Sequence, residues 1–173
     1  LGLFYGMGKN KLQAELGITK EDAEDLFRTY HDKVPFVKML MESVSRRAQE
    51  RGHVRTLLGR RCRFPLWEPN QFGIHKPLKH EEALLEHGPG IKRAFTYKAL
   101  NKLIQGSAAD MTKKAMVELY KEGIVPHIQV HDELDISVDG NSDKIKKIME
   151  TAVKLEVDNK VDYESGPNWG TIK

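Results

Sequence analysis

The sequence predicts an α+β fold, helices packed on a short antiparallel sheet, and three features predict it. Leu100, Ile104, Ala108, Met111, Ala115 and Leu119 recur at three-to-four spacing, the apolar stripe of a long helix. Start signals at Thr19 and Pro35 open two further helices. Between Ile124 and Val138, two apolar stretches bracket a charged turn, the pattern of an antiparallel hairpin. Helices set beside such a hairpin make the α+β class.

The elements follow in chain order. Leu1 runs straight into Gly2-Leu3-Phe4-Tyr5-Gly6-Met7-Gly8 with no capping residue, which resembles the middle of an element. Thr19 with Asp22 reads as a capping box for a helix to about His31. Pro35 suits a first helical turn, and the helix it opens should stop at Gly52. Val54–Leu58 and Cys62–Phe64 read as short extended segments about a turn at Gly59. Residues 65–90 hold four of the seven prolines and no clear apolar period, so a long loop is expected, with a short helix near 81–86. A helix is expected from about Ile91 to Lys121, ended by Gly123. Strands Ile124–Val130 and Leu134–Val138 should meet at His131-Asp132-Glu133, and Asn141 or Ser142 should cap a last helix to about Val157.

Composition allows one substantial core, or a core with a small appended subdomain, in 173 residues. No run is long and apolar enough to cross a bilayer, and no N-terminal signal pattern precedes Gly2, so a cytoplasmic protein with no membrane partner is expected. The single Cys62 cannot form an internal disulfide; it reads as a packed bystander or, among arginines, as a reactive thiol. Net charge is only +3, but it is unevenly spread. Seven arginines face two glutamates between Glu42 and Arg63, whereas ten acids outnumber six lysines from Asp132 onward. A basic middle suggests a polyanion bound locally, and arginine forks suit phosphate oxygens, although a solvated face has the same composition.

Three groups of residues could carry chemistry. Ile128-Gln129-Val130-His131-Asp132-Glu133-Leu134-Asp135-Ile136 places two adjacent acids at a hairpin tip. Neighbouring carboxylates repel, and magnesium, which takes a few carboxylates plus waters and phosphates, would reconcile them; a solvated turn would equally contain Asp and Glu. Asn101 and Gln105 stand one helical turn apart before Gly106-Ser107-Ala108-Ala109. Their amides can read minor-groove acceptors or make ordinary inter-helix bonds. Thr56-Leu57-Leu58-Gly59-Arg60-Arg61 puts a basic pair after a glycine turn, where it could meet phosphate or simply solvent. His75, His80 and His87 match no standard metal-ligand spacing.

Taken in order, Leu3-Phe4-Tyr5-Gly6, Thr56-Leu57-Leu58-Gly59-Arg60-Arg61, Gln105-Gly106-Ser107-Ala108-Ala109-Asp110 and Val130-His131-Asp132-Glu133 resemble the family A DNA polymerases of bacteria and phages. The resemblance runs to Gly166-Pro167-Asn168-Trp169, the family's C-terminal segment. It implies part of a right-hand fold, with partial fingers helices in 1–50 and a palm in 51–173 that carries the long loop 65–90. It implies that Tyr5 and Gly6 close a helix over the incoming nucleotide and templating base. Asp132 matches a metal-binding catalytic aspartate, Glu133 an auxiliary acid and His131 a residue near the primer terminus. Asn101 and Gln105 match minor-groove contacts, while Arg60, Arg61 and the adjoining Thr56 match contacts near the template-primer backbone. The implied chemistry is DNA-directed DNA synthesis by two-metal phosphoryl transfer, with Mg2+ as cofactor and primer-template DNA and dNTP as partners.

The same resemblance puts the family's first catalytic aspartate, and the arginine and lysine that grip the triphosphate, ahead of Leu1. Leu1 stands where an aromatic is usual, which bears on sugar discrimination. The isolated chain is therefore expected to be inactive and to need an upstream polymerase fragment or chain. The length of loop 65–90 points toward a phage or viral branch. Two other classes remain: a non-catalytic DNA-binding module using the arginines, and a metal-dependent phosphohydrolase built on the acidic hairpin.

Overall fold

The computed structural model describes residues 2–3, 7–71 and 73–172, and its described part is α+β. The chain forms two compact units, Leu1–Gly106 and Ser107–Lys173. Among the described residues there are three separate two-stranded antiparallel sheets, where one short sheet was expected. No helix among them is long and apolar enough to cross a membrane.

In the first unit, α1 (Lys9–Leu16) ends at Gly17, whose φ of 63° suits a residue without a β-carbon. This helix has no sequence forecast: it carries neither a side-chain cap nor a clear apolar stripe. The start of α2 (Lys20–Lys33) matches the expected box. The Thr19 hydroxyl accepts the Asp22 N–H at 3.1 Å and donates to the Asp22 carboxylate at 2.6 Å. Pro35 fills the first turn of α3 (Pro35–Arg51), and Gly52 ends it in a left-handed conformation with its N–H on the Ala48 carbonyl.

Strands β1 (His53–Arg55) and β2 (Arg61–Arg63) pair in the register His53 to Arg63, Val54 to Cys62 and Arg55 to Arg61. Val54 and Phe64 are buried with Val44 and Ala48 of α3 and with Ala99 and Leu100. Val44, Val54, Phe64 and Leu100 each contribute about 1.5–3 kcal/mol by leaving water. That core anchors the hairpin and leaves its opposite face open.

Residues 65–90 are more ordered than a loop. They hold β3 (Trp67–Pro69) and α4 (His80–His87), and β3 pairs with β4 (Ile91–Arg93). The expected helix from Ile91 is corrected accordingly. Residues 91–93 are a strand, Phe95 has a φ of 62°, and Thr96–Lys98 form a 3-10 turn before α5 (Ala99–Lys121) begins. The reason lies far away in sequence, in Gln49 of α3. Its amide accepts the Arg93 N–H at 2.9 Å and donates to the Arg93 carbonyl at 2.8 Å and to the Thr96 hydroxyl at 2.9 Å. Those backbone groups are therefore unavailable to a helix.

In the second unit, β5 (Ile128–Val130) and β6 (Glu133–Asp135) form a hairpin shorter at its open end than expected, and Glu133, expected in the turn, opens β6. Leu134, Ile136 and Val138 pack on a cluster of Leu119, Ile124 and Ile145. Helix α6 (Ser142–Thr151) follows Asn141 and stops six residues before Val157; Asn141 makes no side-chain cap bond. Of the expected α5 stripe, Leu100, Ala115 and Leu119 are buried, whereas Ala108 is exposed.

Candidate functional site

The acidic hairpin is built from the core outward. Its register pairs Val130 with Glu133, leaving His131-Asp132 as a two-residue turn. His131 holds a φ of 52°, uncommon for a residue with a β-carbon, and the Gln129 amide donates to its carbonyl. Leu134 and Ile136 tie the same hairpin to the core. Asp132 and Glu133 are thus exposed at the tip of an anchored element, where water reaches both, rather than near an interior. Asp135, two residues beyond Glu133, buries Oδ2 with no hydrogen-bond partner among the described residues.

Magnesium is bound through one or two carboxylates with waters and substrate phosphates completing its shell. Asp132 and Glu133 offer hard oxygen donors suited to part of such a shell. Among the described residues, no group of three or more His, Cys, Asp or Glu could hold a metal ion. The pair fits a share of a magnesium site, and further ligands would have to come from elsewhere.

Asn101 and Gln105 lie one turn apart on α5, both exposed. Gly106, next to Gln105, makes the close approach expected of a small residue. A β-carbon there would lie 2.9 Å from the Thr56 methyl and 3.4 Å from both the Arg60 guanidinium and the Cys62 sulfur. This is the contact of α5 with the β1–β2 hairpin. Thr56 is only 5% exposed, and its hydroxyl accepts the Arg60 N–H at 3.0 Å. Arg60 donates to the Gly106 carbonyl at 2.9 Å. The Cys62 thiol points at the Lys102 carbonyl, 3.7 Å away, as a packed bystander would.

The two halves of the basic pair therefore differ in their partners, although both are exposed. Arg60 donates to the α5 backbone, whereas Arg61 stands on β2 beside Arg55 of β1 and Arg63. Sequence reasoning passed over Arg55 and Arg63, although cations alternating with Val54 and Cys62 carry the period-two signal of one strand face. Among the histidines, His80 packs against Trp67 at 4.6 Å between ring centroids, and His75 and His87 are 6.4 Å apart. Tyr5 and Gly6 lie outside the described residues.

Comparison with known proteins decides the family. The profile of DNA polymerase family A matches residues 1–171. The chain belongs to DNA polymerase family A. Curated DNA polymerases align along almost all of it. A DNA-directed DNA polymerase of Pseudomonas phage M6 is 38% identical over 98% of this chain and 28% of its own length. DNA polymerase I of Lactococcus lactis strain IL1403 is 32% identical and that of Geobacillus stearothermophilus 33%, each over 99% of this chain and 19% of its own length. The chain thus spans less than a third of the length of these relatives. A solved structure, the POL domain of Pol1 from M. smegmatis in complex with DNA primer-template and dNTP, superposes with a TM-score of 0.67 at 28% identity. It covers 91% of this chain and 27% of that one.

Proposed function

We propose that this chain is a working part of a DNA-directed DNA polymerase, contributing one share of a nucleotidyl-transfer site that upstream residues complete. The observation that carries the proposal is the His131-Asp132 turn with Glu133 opening β6, anchored and open, in a chain matched by the family A profile over 1–171. On this reading residues 1–50 belong to the fingers and 51–173 to the palm. Asp132 is the metal-binding aspartate, Glu133 supports it, and His131 lies by the primer terminus. Bound Mg2+ supplies charge neutralisation on the triphosphate and activation of the primer 3′-hydroxyl. The chain's own residues orient the substrates: Asn101 and Gln105 face the minor groove of the new duplex, Arg61 the backbone, and Tyr5 with Gly6 the incoming nucleotide. Thr56, buried, and Arg60, exposed but bonded to the Gly106 carbonyl, support the hairpin that carries Arg61.

Magnesium-dependent primer extension tests the proposal, with the chain alone and mixed with the region of the phage M6 polymerase that precedes the match. Extension in the mixture only, brought to background by Asp132→Ala, is the expected result. No extension in the mixture, with duplex DNA still bound, would sink the catalytic role. That outcome would favour the second reading, a non-catalytic DNA-binding part, which the exposed arginines of β1 and β2 support independently of Asp132.

A further inference from the structure

The first turns of α5 are held at two points, and Asn101 and Gln105 lie between them. At the far point, Gly106 packs on the Thr56 methyl and its carbonyl accepts from Arg60 at 2.9 Å. At the near point, Gln49 of α3 grips the segment just ahead of α5. Its side-chain oxygen accepts the Arg93 N–H at 2.9 Å, and its nitrogen donates to the Arg93 carbonyl at 2.8 Å and the Thr96 hydroxyl at 2.9 Å. The Gln49 main-chain carbonyl also accepts from the Arg93 guanidinium at 3.0 Å. One residue thus binds both backbone groups of Arg93, its side chain, and the hydroxyl of buried Thr96.

The segment gripped in this way does not follow its own local preference. Its residues read as helix in sequence, yet Phe95 holds a φ of 62° and Thr96–Lys98 form a 3-10 turn. A left-handed aromatic residue persists only where surrounding contacts hold it. Ala99 and Leu100 pack with Val44 and Ala48 of α3, but apolar contact of this kind has no direction. The hydrogen bonds of Gln49 do have direction, and they fix where α5 begins. Successive residues of a helix are turned by about 100°, so a slip of one residue at this junction would aim both exposed amides elsewhere.

We propose that Gln49 is a positioning residue for duplex recognition. It sets the register of α5 so that Asn101 and Gln105 meet the minor groove together, and it touches no substrate itself. Holding the two amides in place before the duplex arrives removes part of the ordering cost of binding. The inference deepens the proposed function and rests on it for the roles of Asn101 and Gln105.

The test is fluorescence anisotropy of the full chain with labelled duplexes bearing a recessed 3′ end, one natural and one with 3-deazaadenine in place of adenine. The altered base still pairs but lacks the N3 acceptor of the minor groove. Wild type should prefer the natural duplex by about fivefold for each hydrogen bond lost. Gln49→Met keeps the length and helix propensity of the side chain, and it should bind the two duplexes within about twofold of each other. The double variant Asn101→Ala, Gln105→Ala should do the same by removing the amides themselves. If Gln49→Met does not fold, Thr96→Val removes one of the three side-chain bonds and should shrink the preference to about twofold. A purely structural role would weaken binding to both duplexes by one factor, so a preference kept in folded Gln49→Met would overturn the proposal. A wild type without preference would overturn it together with the minor-groove roles. Extension in the mixture with the preference kept would sink the positioning role alone; a lost preference without extension would support that role and sink the catalytic reading.

Discussion

Gly106 shows how one missing β-carbon can join two elements. Helix interiors favour alanine over glycine by about 1 kcal/mol. Here, however, the added carbon would meet the Thr56 methyl at 2.9 Å, and Thr56 is buried and β-branched, with little room to rotate. Overpacking of this kind costs about 1–3 kcal/mol, so the clash outweighs the propensity. Gly106→Ala should lower stability by about 1 kcal/mol, read as a lower urea midpoint. A higher midpoint would mean that the hairpin yields to the helix. The presence of a small residue at this point was legible in Gly106-Ser107-Ala108-Ala109. Its partner, a threonine fifty residues earlier, was not, because no local pattern links the two positions. Asp132 and Glu133 were legible as a turn for the opposite reason: Val130 and Leu134 bracket them directly.

The same divide separates the elements. Helices α2 and α3 were readable because Thr19, Pro35 and Gly52 punctuate them locally, and the β5–β6 hairpin because its turn lies between two apolar runs. Strand β3 escaped notice: its three residues include a proline and pair with residues 91–93, more than twenty positions away. Residues 91–98 were misread as helix because Gln49, on another element, claims the Arg93 backbone. Within α5, Lys114 and Lys121 flank Glu118 at helical spacing, and their hydrogen bonds hold its carboxyl below the ordinary carboxylate range. A lowered carboxyl stabilises the fold above its ordinary range, and that contribution is lost as pH falls through the folded value. The effect is small, because the half-buried group is still reached by solvent and a glutamate near a helix C-terminus opposes the helix dipole. Thermal melts of wild type and Glu118→Gln should differ slightly at neutral pH, with wild type the more stable, and converge in acid. A gap that widened in acid would contradict the assignment.

At the scale of the molecule, a chain covering 19–28% of its relatives is proposed to hold one carboxylate turn of a larger site and a helix set to meet the minor groove. The extension assay tests the first role by mixing the chain with upstream residues. The altered duplex tests the second with the chain alone, so each can fail separately. The exposed arginines of the β1–β2 hairpin have a consequence for the protein without its ligand. Arg55 and Arg61 stand directly opposite each other across the hairpin, and like charges in that position repel. Dilute buffer leaves this repulsion unscreened, whereas added salt shortens its range. The free chain should therefore melt at a higher temperature as sodium chloride rises from a few millimolar, and Arg61→Gln should flatten that rise. For this hairpin, low ionic strength acts as a mild denaturant.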